Sequence, residues 1–173
     1  MDLFICEICG EAYIGSEKPT DCPFCGAKKN FLKSGEEARP IVNEKLDVSE
    51  QSRANLMETL ALETRAVAIY LCMAGKTKEH KTKAMYKRLA QVEKEHAVIA
   101  TKILGIPMPE INPEICSDED AENFKKTVEL EEHATSLYVK FAAEATERNA
   151  KIFFTALAQV EKGHIDLVKK LLA

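Results

Sequence analysis

Apolar residues recur in steps of three and four along most of the chain beyond residue 46, which places them on one face of an α-helix. This pattern predicts four long helices, at about 48–74, 79–104, 118–146 and 149–172. Residues 1–34 lack the periodicity and are rich in turn-forming Gly and Pro. We therefore predict a small N-terminal domain, a linker and a helical bundle, at residues 1–34, 35–46 and 47–173 respectively.

The predicted helix ends carry local signals. Asp47 followed by Glu50 has the form of a capping box at the start of the first helix, and Gly75 marks its end. Gly105, with three prolines after it, ends the second helix. Ser117, followed by acidic residues, opens the third.

The lengths of the connections indicate the topology. The first and third are a few residues each, which suits antiparallel neighbours, whereas the middle one, about 105–117, is long enough to cross a bundle. Short, long, short is typical of a ferritin-like four-helix bundle. The predicted fold is therefore an all-α bundle of this kind, preceded by a small metal-binding knuckle.

Each predicted helix has glutamate on its apolar face, and two helices add histidine three residues later. A buried, unpaired carboxylate costs several kcal/mol, so such a set is stable only if cations hold it together. One Glu from each of two helices with Glu-x-x-His from the other two is the pattern of di-metal carboxylate bundles. Imidazole and carboxylate suit iron, manganese or zinc. The candidate metal ligands and catalytic residues are Glu63, Glu93, His96, Glu131, Glu161 and His164.

An internal repeat supports this site. The segment 89–96 recurs 68 residues later at 157–164 with seven of eight residues identical, and Glu63 matches Glu131 at the same offset. Tyr70 and Tyr138 match as well, two turns beyond these glutamates. We predict that both hydroxyls donate hydrogen bonds into the ligand shell.

Other polar residues have simpler interpretations. Surface positions are predicted for Glu129, Glu132, His80 and His133. Cys72 and Cys116 lack a partner motif and are predicted to be plain thiols of the core or a loop.

Two Cys-x-x-Cys-Gly loops, Cys6 to Gly10 and Cys22 to Gly26, form the knuckle. Four thiolates at this spacing bind one tetrahedral metal, either zinc or iron (Cys6, Cys9, Cys22 and Cys25). Without a secretory signal, such pairs indicate a metal site in a reducing cytoplasm rather than a disulfide framework.

Charge and hydropathy argue against two classes of partner, nucleic acids and membranes. Net charge is −4 and no basic stripe occurs, which disfavours a nucleic-acid partner. No apolar stretch approaches the about 20 residues that span a bilayer. We expect that the short acidic N-terminus does not act as a signal peptide. We therefore expect a cytoplasmic protein without a membrane partner.

With these motifs the chain resembles the rubrerythrins, in the arrangement that places the rubredoxin-like module at the N-terminus. The resemblance rests on the segment 4–13 followed by 22–26, and on the Glu/His set of the bundle. It implies two iron ions in the bundle and one iron (or zinc) in the four-cysteine site. It also implies a homodimer.

The resemblance further implies a non-haem peroxidase of oxidative-stress defence that reduces hydrogen peroxide to water. Electrons would come through the rubredoxin-like centre from a rubredoxin or an NAD(P)H-dependent rubredoxin reductase. Many members of the family carry an additional glutamate three residues after the third-helix ligand, where this chain has Ala134; the first-helix equivalent is Ala66. The alternatives are a ferroxidase or O₂-reducing di-iron protein, and a structural zinc-ribbon interaction module on a metal-stabilised bundle.

Overall fold

A computed structural model of the chain describes residues 1–42 and 44–172. Asn43, in the predicted linker, and Ala173, at the end of the predicted bundle, lie outside the described residues. Three short strands form an antiparallel sheet in the order β2-β1-β3, namely β1 (Asp2–Cys6), β2 (Ala12–Gly15) and β3 (Leu32–Ser34). Four long helices follow, α1 (Glu50–Lys76), α2 (His80–Leu104), α3 (Asp120–Glu144) and α4 (Arg148–Leu172).

The structure corrects both of the predicted end signals of α1. Ser49, not Asp47, caps α1, because its hydroxyl accepts the amide of Ser52 at 3.2 Å. The helix also runs through Gly75 and ends at Lys76, since nothing there requires a left-handed residue. Gly105 does end α2, as predicted, in the left-handed conformation with φ of 67°.

The third helix also begins later than predicted. Ser117 lies ahead of α3 and its hydroxyl accepts the amide of Glu119 at 3.1 Å, while Glu119 occupies the capping position without a side-chain bond. The serine therefore orders the turn before the helix rather than the helix itself.

The four helices have the predicted ferritin-like connectivity. Glu144, at the end of α3, accepts a hydrogen bond from Asn55 near the start of α1 at 3.0 Å, so these two helices run antiparallel. The crossover segment, which we define as residues 105–119, has no helix or strand. It leaves α2 beside the start of α1 and returns along α1 to Lys76, whose Nζ lies 2.8 Å from the Cys116 carbonyl oxygen. The fold prediction is confirmed.

The second cysteine loop of the N-terminal module, between β2 and β3, packs against α2 and α4. The guanidinium of Arg88 donates hydrogen bonds to the carbonyl oxygens of Pro23 and Phe24. Gly26, with φ of 76°, approaches Val160 so closely that a Cβ on it would lie 2.7 Å from a methyl carbon. Glycine is therefore required there twice, for its backbone conformation and for the contact. The domain boundaries drawn from sequence stay a prediction.

A single carboxylate, Glu147, joins the start of α1 to the start of α4. Its two oxygens accept the Ser49 amide at 2.5 Å and the Ser52 hydroxyl at 2.6 Å. Burial alone would raise the pKa of Glu147, but the hydrogen bonds from Ser52 and Ser49 outweigh it and lower the pKa to about 2. Glu147 therefore stabilises the fold above the unfolded-state pKa of 4.5, and this contribution is lost as pH falls towards 2.

We expect Glu147→Gln to reduce the free energy of unfolding by about 1 kcal/mol near neutral pH, because one charge-assisted bond to each serine is weakened. The difference from wild type should shrink between about pH 4.5 and pH 2.5. Urea unfolding at several pH values measures it, with the exposed Glu58→Gln as the matched control. An equal difference at all pH values would contradict the assignment.

Candidate metal centres

The four cysteines of the knuckle converge on one point. All four are buried, none forms a disulfide, and their sulfurs lie within 4.8 Å of one another. Cys6 Sγ is 3.8 Å from Cys25 Sγ, and Cys9 Sγ is 3.7 Å from Cys22 Sγ. Sulfurs about 2.3 Å from a shared tetrahedral ion are about 3.8 Å apart, so the spacing fits a Cys₄ metal site.

The backbone of each loop supports this convergence. The amides of Gly10 and Gly26 donate to the carbonyl oxygens of Cys6 and Cys22 at 2.8 and 3.0 Å. Both glycines have positive φ, 80° and 76°, which other residues rarely adopt.

The thiols depend on one another for their charge. Hydrogen bonding from Cys25 lowers the pKa of Cys22, while hydrogen bonding to Cys22 raises the pKa of Cys9. Without a cation the four sulfurs therefore cannot all be thiolates. A bound ion removes this conflict, because metal binding deprotonates the thiols that it coordinates.

The second centre lies inside the bundle, around the ring nitrogen Nδ1 of His96. This nitrogen is 3.0 Å from Glu93 Oε2 and 3.3 Å from Glu161 Oε1. Glu63 Oε1 lies 3.5 Å away. Ligand atoms about 2.1 Å from one ion lie about 3.0 to 3.4 Å apart in octahedral or tetrahedral geometry, so these four residues could hold one metal.

A matching group surrounds His164. Its Nδ1 lies 2.9 Å from Glu161 Oε2, 3.1 Å from Glu93 Oε1 and 3.5 Å from Glu131 Oε1. Glu93 and Glu161 each place one oxygen near His96 and the other near His164. Glu63 lies near His96 only, and Glu131 lies near His164 only. The arrangement therefore suits two ions bridged by two carboxylates. The six residues that the sequence named as candidates lie together here, but the sequence could not show which carboxylates face both histidines.

Unpaired buried atoms show that this site fits metal ions. Both oxygens of Glu93 and of Glu161, and Nδ1 of each histidine, are buried with no hydrogen-bond partner. Six such atoms in one place would be costly in a metal-free core. As candidate ligands they have the oxygen and nitrogen chemistry that iron accepts.

The pKa values of the clustered residues also show that buried charges interact strongly at this site. Burial raises the pKa of Glu63 and that of Glu131 to about 8 each. Burial also acts on Glu161, but the two histidines outweigh it and lower its pKa to about 2. For His96 burial lowers the pKa, yet the carboxylates, Glu63 first, raise it well above its ordinary value. Protons thus substitute for the cations that the site attracts.

The two predicted tyrosines reach the ligand shell across the bundle. Tyr138 on α3 donates to Glu63 Oε1 on α1 at 2.5 Å, and Tyr70 on α1 donates to Glu131 Oε1 on α3. Burial, and then the neighbouring carboxylates, raise both tyrosine pKa values well above normal. The hydroxyls therefore keep their protons and orient the two terminal carboxylates.

A cavity of about 100 Å³ reaches the site from the side of α1 and α3. Its lining consists of six pairs that the 68-residue repeat relates: Leu62/Leu130, Glu63/Glu131, Arg65/His133, Ala66/Ala134, Tyr70/Tyr138 and Glu93/Glu161. Only the pair of Arg65 and His133 differs in residue type. Both of these are exposed, and the sequence analysis did not place them at the cavity.

One hydrogen bond joins the two metal centres. His96 turns Nδ1 towards the carboxylates, and its other ring nitrogen, Nε2, lies 2.8 Å from the Cys25 carbonyl oxygen. The carbonyl accepts, which fixes the proton on Nε2 and leaves Nδ1 free for a metal. A candidate ligand of the bundle thus contacts a candidate ligand of the knuckle within one chain.

Of the remaining predictions for polar residues and cysteines, those for the surface residues agree with the structure and the one for Cys72 and Cys116 does not. Glu129, Glu132, His80 and His133 are all exposed, as expected. The prediction that Cys72 and Cys116 are unpaired thiols was wrong, because they form a disulfide 44 residues apart in sequence. The crossover segment brings Cys116 to α1, and no local motif encodes that approach. A cytoplasmic location stays a prediction.

Comparison with known proteins identifies the family. A family model described as Rubrerythrin matches residues 54–172, and one described as Rubrerythrin, rubredoxin-like domain, matches residues 4–33. The chain belongs to the rubrerythrin family. The Glu/His cluster is the di-iron carboxylate site of that family, and the four-cysteine knuckle is its rubredoxin-like site. Family membership indicates oxidoreductase chemistry, while the role of each ligand stays a prediction.

Two individual proteins illustrate the likeness. Reverse rubrerythrin-1 of Clostridium acetobutylicum is 32% identical over 114 residues, which cover 61% of this chain and 63% of that protein. The chain thus matches less than two thirds of that relative's length. A hypothetical protein from Pyrococcus furiosus has a TM-score of 0.60 at 20% identity, covering 70% of this chain and 87% of its own. At this identity the likeness concerns the fold alone.

None of the described helices is long and apolar enough to span a membrane.

Proposed function

We propose that this rubrerythrin is a non-haem di-iron peroxidase that reduces hydrogen peroxide to water. The reaction takes up two electrons and two protons per peroxide and releases two waters. We further propose a rubredoxin or an NAD(P)H-dependent rubredoxin reductase as the electron donor, and a homodimer as the assembly. The contact between His96 and the Cys25 carbonyl supports the peroxidase most strongly.

That contact argues for electron delivery to the bundle. A ferroxidase takes its electrons from its ferrous substrate and needs no second redox site against its ligands. Here a candidate iron ligand, His96, hydrogen-bonds the backbone of Cys25, itself one of the four clustered cysteines. A structural zinc ribbon would have no need of this contact either. The geometry therefore favours an enzyme that is re-reduced through the knuckle.

The size of the cavity favours a small oxidant. A volume of about 100 Å³ is several times the roughly 10–15 Å³ that one water needs by the same measure. It is well below the about 300 Å³ at which pockets for organic ligands begin. Peroxide fits such a space, and the alanines at 66 and 134 leave it open beside the carboxylates.

The chain's own residues then have definite tasks. Glu93 and Glu161 would each contribute to holding both ions, and Tyr70 and Tyr138 orient the carboxylates of Glu131 and Glu63. When bound, the iron pair supplies one electron from each ion to the O–O bond. Arg65 and His133 border the opening where protons and peroxide enter.

Stopped-flow oxidation of the anaerobically reduced holoprotein tests the proposal. We expect hydrogen peroxide to oxidise the iron at least about tenfold faster than O₂ at equal concentration, a difference of about 1.4 kcal/mol in activation free energy. NADH-coupled turnover with a rubredoxin reductase should then consume peroxide in steady state. Faster oxidation by O₂ would favour the O₂-reducing alternative. Zinc in every site of anaerobically purified protein would favour the structural one.

Ala134 allows a separate prediction about the symmetry of the site. It lines the cavity one turn beyond Glu131, so no protein carboxylate there can compete with a histidine for an ion. We expect oxidised and reduced crystals of the wild type to show each iron retaining its own histidine, with metal shifts well under about 1 Å, because an ion moves only when another ligand competes at similar energy.

Ala134→Glu should introduce that competitor and make the site asymmetric in one redox state. Ala66→Glu, its equivalent in the repeat, should produce the mirror-image asymmetry, and the exposed Ala143→Glu should change nothing. If wild-type iron leaves a histidine on oxidation, the symmetric description is wrong.

A further inference from the structure

The disulfide between Cys72 and Cys116 lies outside both metal centres. Cys72 is on α1, and Cys116 belongs to the crossover segment. The four remaining cysteines are those of the knuckle. Neither metal site uses this pair, so its chemistry is separate from theirs.

The disulfide is one of four contacts between described residues that hold the second half of the crossover segment to α1. Arg65 Nε lies 3.1 Å from Glu114 Oε1. Lys76 Nζ lies 2.8 Å from the Cys116 carbonyl oxygen and 3.0 Å from Asp118 Oδ1. This part of the chain has no helix or strand of its own. Its position on α1 therefore depends on these side-chain contacts, of which the disulfide is the covalent one.

The same segment reaches the opening of the metal-site cavity. Glu114 is two residues before Cys116, and its partner Arg65 lines that cavity. Arg65 is thus held at the opening by a segment that the disulfide anchors. Cleavage of the disulfide would leave the ion pair between Arg65 and Glu114 and the polar contacts of Lys76, which are partly exposed and individually weak.

The disulfide can be reached from solvent on two sides. Cys116 lines one cleft of about 290 Å³, and Cys72 lines another of about 460 Å³. Both residues are half-buried. A small thiol reagent therefore has access to the sulfurs, which a disulfide buried in a core would not allow.

We propose that Cys72 and Cys116 form a second redox site, a thiol–disulfide pair that a dithiol reduces and peroxide re-oxidises, and whose state sets how firmly the crossover segment holds Arg65. In reduction, a thiolate of the dithiol attacks one sulfur and breaks the S–S bond. Its second thiol then releases the protein thiol, so the products are two protein thiols and the disulfide of the reductant.

Re-oxidation balances in the same way. One protein thiolate attacks an oxygen of hydrogen peroxide, which breaks the O–O bond, forms a sulfenic acid and releases one water. The other thiol then displaces the hydroxyl group from that sulfur, which forms the disulfide and releases a second water. Neither step requires the iron of the bundle, so the inference stands apart from the peroxidase proposal.

Alkylation of the full-length holoprotein tests the chemistry. After anaerobic treatment with dithiothreitol and its removal, iodoacetamide should label Cys72 and Cys116 and leave the four metal-bound cysteines unlabelled in peptide mass spectra. Excess hydrogen peroxide added before the label should abolish the labelling by restoring the disulfide. Absence of labelling after dithiothreitol, or labelling that survives peroxide, would overturn the proposal.

Hydrogen exchange tests the structural consequence. Reduction should speed exchange of backbone amides in residues 108–118 by about tenfold or more, because the segment loses its covalent anchor. Exchange in α4 should stay unchanged. The double variant C72S/C116S should exchange fast with or without dithiothreitol. If that variant does not fold, the reduced wild type still decides the question, since unchanged exchange there would refute the coupling.

Discussion

Replacing Glu93 with alanine should remove both metal ions from the bundle. Glu93 offers one oxygen to the group around His96 and the other to the group around His164, so its loss takes a ligand from each. We expect metal affinity to fall by well over about 100-fold, the upper end of what loss of an outer-sphere partner costs. Metal analysis and the optical spectrum of the ferric pair measure the effect.

A graded series separates bridging from terminal ligands. Glu63→Ala and His164→Ala each remove a ligand from one group only, so each should leave a mononuclear remnant. The exposed Glu129→Ala should keep the full pair. An undisturbed coupled pair in Glu93→Ala would show that this carboxylate is not shared, and one in His164→Ala would disprove the pairing of the two halves.

Cys9→Ser should separate electron entry from chemistry. Steady-state peroxide turnover from an external reductant should fall by at least about two orders of magnitude, because the knuckle can no longer pass electrons at its native potential. Oxidation of the pre-reduced bundle iron by one addition of peroxide should keep its wild-type rate, because no bundle residue has changed. Coupled NADH consumption and stopped-flow absorbance measure the two quantities.

The matched control for this prediction is Ser16→Ala, an exposed position of the same small module. Circular dichroism should show that the bundle of both variants remains helical. Full steady-state activity in Cys9→Ser would mean that electrons enter elsewhere and that the knuckle is a structural site.

The candidate ligands of the bundle could be named from the sequence because helical periodicity and the internal repeat both mark them. A glutamate on an apolar face, such as Glu63, is visible in one sequence, and its repeat at Glu131 excludes chance. Which carboxylates bridge depends on how the helices oppose one another, and periodicity within one helix does not contain that. Periodicity also placed Tyr70 and Tyr138 on the faces of the candidate ligands, but it could not name the glutamates on the opposite helix to which their hydroxyls donate.

The disulfide and the docking of the knuckle depend on contacts distant in sequence. Cys116 meets Cys72 only because the crossover segment returns along α1. The steric requirement for glycine at position 26 arises because a methyl group of Val160 on α4 lies where a Cβ would be. Spacing rules describe neighbours along an element, and these contacts follow instead from how separate segments pack.

The paired lining of the cavity has a consequence for any molecule that enters it. Hydrogen peroxide is itself two-fold symmetric, since a half-turn exchanges its oxygens. Five of the six residue pairs that line the cavity are identical, so both ends of a bound peroxide would meet the same residues except at Arg65 and His133. An unsymmetrical diatomic such as nitric oxide would have no such match. It should occupy the cavity in two opposite orientations of similar population, distinguished only by the guanidinium at 65 and the imidazole at 133.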